Sequence, residues 1–147
     1  MKHFNTAMFK FFAITFFLVC VNIAAFANPV ADSSFTETPM VLHTATGDIF
    51  GTLTLPNNFS KGEVALIIAG SGPTDRNGNN PVMKNNSLQM LAYELAANNI
   101  ASLRYDKRGI AESKTAMTAE ADLRFENYIN DAKDWIALLK KDKRFSK

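Results

Sequence analysis

The pattern of apolar and polar positions along the chain predicts three strands ahead of the first helix. Residues 40–46 and 49–55 are strand-like runs around the turn signal Thr46-Gly47-Asp48, and they predict an antiparallel hairpin. Residues 64–69 form an unbroken apolar run, which is typical of a strand buried on both faces of a parallel sheet. Residues 100–105 predict a further strand that ends in a polar turn at residues 106–109.

Two stretches have apolar residues at helical spacing. The first begins at Asn86, a good N-cap residue, and its expected apolar face comprises Leu88, Leu91, Ala92 and Leu95. The second runs over residues 122–141, and we expect its apolar and aromatic side chains to be core: Phe125, Tyr128, Ile129, Ala132, Trp135, Ile136 and Leu139.

The order hairpin, strand, helix, strand, helix predicts an α/β fold with a largely parallel sheet. It contains one complete βαβ unit and a final helix with no strand after it. We therefore expect the chain to stop within its fold, before a further strand.

The first 27 residues have the three-part pattern of a secretory signal peptide. Lys2 and Lys10 precede an apolar stretch, and Ala25 and Ala27 are the small residues that predict cleavage after position 27. We expect residues 28–37 to be a flexible leader and residues 38–147 to be the domain. The mature protein is then exported, periplasmic or secreted, without a stable membrane anchor.

Charge and cysteine content exclude several classes of function. Lys2 and Lys10 account for the whole formal charge of +2, so the mature chain is near neutral and gives no electrostatic reason to expect a nucleic-acid partner. The single cysteine, Cys20, leaves with the signal peptide, which excludes a disulfide framework and thiol catalysis. The sequence does not indicate an oligomeric state.

Candidate chemistry lies in the turn Gly70-Ser71-Gly72, directly after the apolar strand. As a dinucleotide fingerprint it has two glycines, but Asp75 stands where the third belongs, and Asp106 lies beyond the usual offset of about 20 residues for a ribose-binding acid. A phosphate loop would need a following Gly-Lys-Ser/Thr, and a calcium loop starting at Asp75 lacks its glycine and its closing glutamate.

An oxyanion hole is the reading that fits the turn best. Fixed backbone N–H groups stabilise the negative charge that develops on a carbonyl oxygen during acyl transfer. In α/β-hydrolases one such donor comes from the loop between the third strand and the first helix. The N–H of Ser71 is the first candidate donor and that of Gly72 the second.

Two segments together resemble the α/β-hydrolase superfamily: AGSGPTDRNG at 69–78 and LRYDKRGIAES at 103–113. The resemblance is to serine esterases and the serine aminopeptidase-like group, with Ala111 where a glycine is common. It implies hydrolysis of a small ester or short acyl substrate, with a small amide as the less favoured substrate. The reaction would proceed through an acyl-serine intermediate, without metal or cofactor.

The family's nucleophile elbow, acid and histidine have no counterpart here, so we expect the chain alone to be inactive. The mature chain's one histidine, His43, is interpreted as an ordinary strand residue. Non-catalytic alternatives are an exported α/β binding module and a Rossmann-like nucleotide-binding domain.

Polar residues in both turns are interpreted as scaffold rather than catalytic groups, because such residues usually bind backbone in tight turns. A network between the turns is expected to fix the oxyanion loop. Three further charged residues, Lys84, Glu112 and Lys114, are expected to be solvated. The scaffold residues are Gly70, Asp75, Arg76, Asp106, Arg108 and Gly109.

Overall fold

The structure, a computed structural model, describes residues 35–117 and 119–145. The predicted signal peptide and the first part of the predicted leader, residues 28–34, lie outside the described residues. Strands β1 (Phe35–Thr44) and β2 (Gly47–Pro56) are followed by β3 (Val64–Ile67), helix α1 (Ser87–Ala97) and β4 (Ala101–Tyr105). Two 3₁₀ helices, Ala111–Ala116 and Glu120–Asp122, then lead to helix α2 (Phe125–Leu139).

The four strands form one mixed sheet in the order β1-β2-β4-β3. The pairs β1–β2 and β2–β4 are antiparallel, and β3–β4 is parallel. The predicted hairpin and βαβ unit are therefore confirmed, but the expectation of a largely parallel sheet is wrong. The reason is that β4 inserts between the hairpin and β3, so its second neighbour runs against it.

Strand β3 differs from its prediction. It lies at an edge of the described sheet and is mostly half-buried, with only Ile67 fully buried. The apolar run continues past the strand to Ile68, whose side chain is 52% exposed. The apolar run therefore predicted the position of the strand correctly. The prediction that the strand is buried on both faces is wrong for the described residues.

The predicted leader ends earlier than expected, because residues 35–37 belong to β1. The ring of Phe35 stacks on Tyr93 of α1 with centroids 4.2 Å apart. The carboxylate of Glu37 accepts a hydrogen bond of 2.6 Å from the buried Arg104 in β4. These contacts cross the sheet and hold the start of β1 in place.

The main core lies between the sheet and α2. Trp135 is fully buried and packs against Tyr105 of β4, with ring centroids 5.7 Å apart. Burial of the Tyr105 phenol raises its pKa to about 12. The expected apolar face of α2 is divided, because Trp135 and Leu139 are buried whereas Phe125, Ile129 and Ile136 are exposed.

Helix α1 contacts β4 and β2. Ala92 and Ala96 are its buried residues, and Leu91, expected on the apolar face, is 46% exposed. Asn86 occupies the predicted N-cap position, but its side chain does not cap the helix. The carbonyl of Asn77 instead accepts hydrogen bonds from the first-turn amides of α1.

No helix within residues 35–117 and 119–145 combines the length and the apolar character needed to cross a membrane.

Candidate functional site

The turn Gly70-Ser71-Gly72 leaves the sheet just beyond the carboxyl end of β3. Gly72 has φ +79°, a conformation that glycine adopts at little cost. A Cβ atom at Gly70 or Gly72 would meet no heavy atom within 4 Å, so the surface of the turn is open at both glycines. Approach of a ligand to the backbone is therefore unobstructed there.

Lys107, in the turn after β4, binds the glycine turn through its side chain. Its side-chain Nζ donates to the carbonyl of Gly70 and, at 2.9 Å, to the carbonyl of Gly72. The residue is only 7% exposed, and this burial lowers the pKa of its ammonium. The two turns are thus joined directly, by a residue that sequence analysis did not select.

The Lys107 contact determines where the amide of Ser71 points. The carbonyl of Gly70 and the N–H of Ser71 belong to one planar trans peptide and point in opposite directions. Because the carbonyl is bound to Lys107, the N–H faces away from it. Among residues 35–117 and 119–145, no acceptor binds the N–H of Ser71 or that of Gly72.

A cavity of about 780 Å³ opens beside the turn. One wall is the turn itself together with Lys107. Arg108 and Glu120 are further charged residues of the lining. Most of the other lining residues are apolar or aromatic and come from the segment between β4 and α2 and from the first turn of α2: Ile110, Met117, Leu123, Phe125 and Tyr128. The turn that carries these two amides, both without an acceptor among the described residues, therefore borders a space large enough for a small organic ligand.

Asp75 stabilises the loop that follows the turn. Its Oδ1 accepts hydrogen bonds of 2.8 Å from the amides of Asn77 and Asn79. Gly78, with φ +93°, lies against the start of α1, where an added Cβ would be 3.0 Å from the Leu88 nitrogen. The Asp75 carboxylate thus binds its own loop.

Asp106, in the turn after β4, contacts Arg76, in the segment that follows the glycine turn. Its Oδ1 accepts a 2.7 Å hydrogen bond from the Arg76 amide, and its Oδ2 lies 3.1 Å from the Arg76 guanidinium. Burial outweighs these contacts and raises the pKa of Asp106. Glu112, expected to be solvated, has a side chain that is 65% exposed and that also forms an ion pair with Arg76.

Arg108, interpreted from the sequence as scaffold in a network between the two turns, binds α2 instead. Its guanidinium makes a bidentate ion pair with Asp131 of α2, with Nε–Oδ2 at 2.7 Å, and does not join the two turns. Asp131 is 1% exposed, and its hydrogen bonds raise the pKa of Arg108. Arg108 also donates to Thr46 and to the Ala116 carbonyl, so it ties α2 to the β1–β2 turn.

Gly109 and His43 complete the predicted set. Gly109 has φ +82° and packs against Met117, where an added Cβ would be 3.0 Å from the sulfur atom. His43 is exposed on the hairpin and hydrogen-bonds Asp48 at 2.7 Å. It does not line the cavity, so the structure does not place a histidine base beside the glycine turn.

No group of three or more His, Cys, Asp or Glu side chains suited to a metal ion occurs in the part of the chain that the structure describes. The acids near the turn, Asp75 and Asp106, bind backbone amides and, in Asp106, a guanidinium.

Comparison with known proteins gives no family assignment. No protein-family model and no curated protein sequence matches the chain. Among solved structures, a PEG-bound complex of a cold-adapted esterase from an Arctic intertidal metagenomic library is similar at 19% identity and a TM-score of 0.47. The match covers 73% of this chain and 44% of that esterase. The chain thus spans less than half of its length, and a likeness this weak says nothing about the chemistry of this chain.

Proposed function

We propose that the chain contributes the oxyanion hole of an exported α/β-hydrolase that cleaves a carboxyl ester of a small molecule. The observation that carries the proposal is the glycine turn after β3, which lines the cavity and whose two amides have no acceptor among the described residues. An α/β-hydrolase draws one oxyanion donor from the loop at this position, between its third strand and first helix. Export is proposed from the signal-peptide pattern of residues 1–27.

The reaction would require a negative charge on the carbonyl oxygen of the substrate as the tetrahedral intermediate forms. The N–H groups of Ser71 and Gly72 would bind that oxygen, and one such donor is worth on the order of 3 kcal/mol of barrier. A serine nucleophile and its histidine base are not found together among the described residues. We therefore propose that the mature chain alone binds the oxyanion and does not turn over esters.

The Rossmann-like alternative has less support. A dinucleotide site needs a helix N-terminus directly after the glycine turn, but α1 begins only at Ser87. The acid expected to bind the ribose, Asp106, is 1% exposed and engaged by Arg76 and by the Glu112 amide. The helix N-terminus that would bind the phosphates is therefore not next to the glycine turn, and the acid that would bind the ribose is already engaged.

The test is binding of two oxyanion mimics, butyrate and dimethylphosphinate, to the ¹⁵N-labelled chain, monitored at individual amides by NMR. We expect the amide signals of Ser71 and Gly72 to shift with saturation. Ser71→Ala should bind equally well, since its N–H remains, whereas Gly72→Ala should bind more weakly, since φ +79° is strained for alanine. Both amides remaining unmoved, or moving only with a dinucleotide, would contradict the proposal.

A further inference from the structure

The turn after β4 contains a buried cation, Lys107, that has no acidic partner in the part of the chain that the structure describes. Lys107 is 7% exposed, and no carboxylate within residues 35–117 or 119–145 forms an ion pair with its Nζ. Its hydrogen-bond acceptors are two backbone carbonyls of the glycine turn. An ammonium group carries three N–H donors, so these two contacts satisfy most of its bonding capacity but leave its charge unneutralised.

The contact has two consequences for the Ser71 amide. It fixes the peptide plane between Gly70 and Ser71, because a planar peptide cannot turn its N–H without moving its carbonyl. It also polarises that peptide, because a donor bound to the carbonyl oxygen strengthens the hydrogen bond that the N–H of the same unit can make. Orientation and donor strength thus depend on the same side chain.

We propose that Lys107 is a positioning residue of the oxyanion hole, which aims and strengthens the Ser71 N–H through the Gly70 carbonyl. The inference rests on the function proposed above. It assigns Lys107 no contact with substrate and no proton transfer. Its positive charge, at the wall of the cavity beside the turn, adds a favourable field for an anion bound at the Ser71 amide.

Butyrate binding at the Ser71 amide, in the full chain at constant ionic strength, tests the inference. We expect Lys107→Met to weaken the affinity about tenfold or more, the size typical of losing a charge-assisted hydrogen bond. Lys107→Arg, which keeps the charge and the donors, should recover part of this loss. Lys84→Met removes an exposed positive charge from the loop after the turn, and we expect its affinity to stay within about twofold of wild type.

The outcomes separate the two proposals. No response of the Ser71 and Gly72 amides in the wild-type chain would contradict the oxyanion function itself. A wild-type response that is unchanged in a folded Lys107→Met variant would overturn only the role of Lys107.

A second measurement does not depend on the variant folding. In the wild-type chain, through-hydrogen-bond scalar coupling should link the Lys107 side-chain ¹⁵N to the Gly70 carbonyl carbon. A well-resolved spectrum without this coupling would show that the ammonium does not hold the turn, and the inference would be wrong.

Discussion

The ion pair between Arg108 and Asp131 offers the sharpest test of how the site is held. Both side chains are buried, with 10% and 2% of their side-chain surface exposed, and they form two parallel hydrogen bonds. Asp131→Ala removes the carboxylate and leaves the guanidinium buried without its counter-ion. The remaining acceptors of Arg108 are the neutral Thr46 hydroxyl and the Ala116 carbonyl.

The expected loss follows from burial. Removing one partner of a buried ion pair costs about 3–5 kcal/mol, because the other charge stays uncompensated. A domain of this size has a total stability of about 5–15 kcal/mol. We therefore expect Asp131→Ala to lower the midpoint of thermal unfolding by on the order of 10–20 °C.

The matched control is Asp134→Ala, on the exposed side of the same helix. Both substitutions make the same gain in helix propensity, and Asp134 is only a minor charge partner of Arg108, so the difference between them reports mainly the buried pair. Asp134→Ala should change the unfolding free energy by no more than about 0.5 kcal/mol. For both variants, circular dichroism during heating gives the midpoint temperature, and circular dichroism during urea titration gives the unfolding free energy.

Replacing both members of the pair gives the complementary result. Arg108→Met with Asp131→Leu should be more stable than Asp131→Ala, because no unpaired charge remains. The Ala116 carbonyl still accepts a hydrogen bond in that variant, because the Thr46 hydroxyl donates to it at 2.9 Å. If the unfolding free energies of Asp131→Ala and Asp134→Ala differ by less than about 1 kcal/mol, the guanidinium is not desolvated and the reasoning is refuted.

Three further predictions concern the core, the loop and turnover. Burial raises the pKa of Tyr105 from 10.0 in the unfolded state to about 12 in the folded state. Between these two values the folded state keeps the phenol proton that the unfolded state loses. The contribution of the phenol to stability is therefore complete below pH 10 and is lost as the pH rises toward 12. Between pH 9 and 11.5 the wild-type chain should therefore lose about 2 kcal/mol more unfolding free energy than Tyr105→Phe, and equal losses in urea titrations would contradict this. Gly78→Ala should cost about 1–3 kcal/mol in the same assay, because φ is +93° and the methyl group meets the Leu88 nitrogen at 3.0 Å, whereas Gly70→Ala, with open space, should cost far less. The purified chain should show no p-nitrophenyl butyrate hydrolysis and no labelling by a serine-directed phosphonate, and labelling that Ser71→Ala abolishes would make that hydroxyl a nucleophile.

Sequence patterns predicted the βαβ unit because its signals are local. An apolar run, a glycine turn and a helical repeat each lie within a few residues, and each appeared where expected. The position of β3 in the sheet could not be predicted in this way, because apolar character does not say which strands become neighbours. The same limit explains the mixed sheet, since strand order depends on contacts across the whole domain.

The site was predicted where turn chemistry is local and missed where it depends on distant partners. Asp75 binds amides two and four residues away, as aspartates in turns commonly do. Lys107 binds carbonyls 35 and 37 residues away, and a lysine between two charged neighbours resembles a solvated one in sequence. Asp131 did carry a signal: it is an acid flanked at helical spacing by Tyr128 and Trp135, on the side of α2 expected to be buried.

The three buried cations of β4 and its turn differ in how their charge is compensated, and that difference supports the role proposed for Lys107. Arg104 is paired with Glu37, and Arg108 is paired with Asp131, so each of these two charges has a counter-ion. Lys107 is bound only by carbonyl dipoles among the described residues. Burying a charge without a counter-ion is costly, as the lowered pKa of Lys107 indicates. An anion bound at the Ser71 amide would relieve the cost of burying the Lys107 charge. Ligand binding and the stability of the protonated lysine should therefore be coupled.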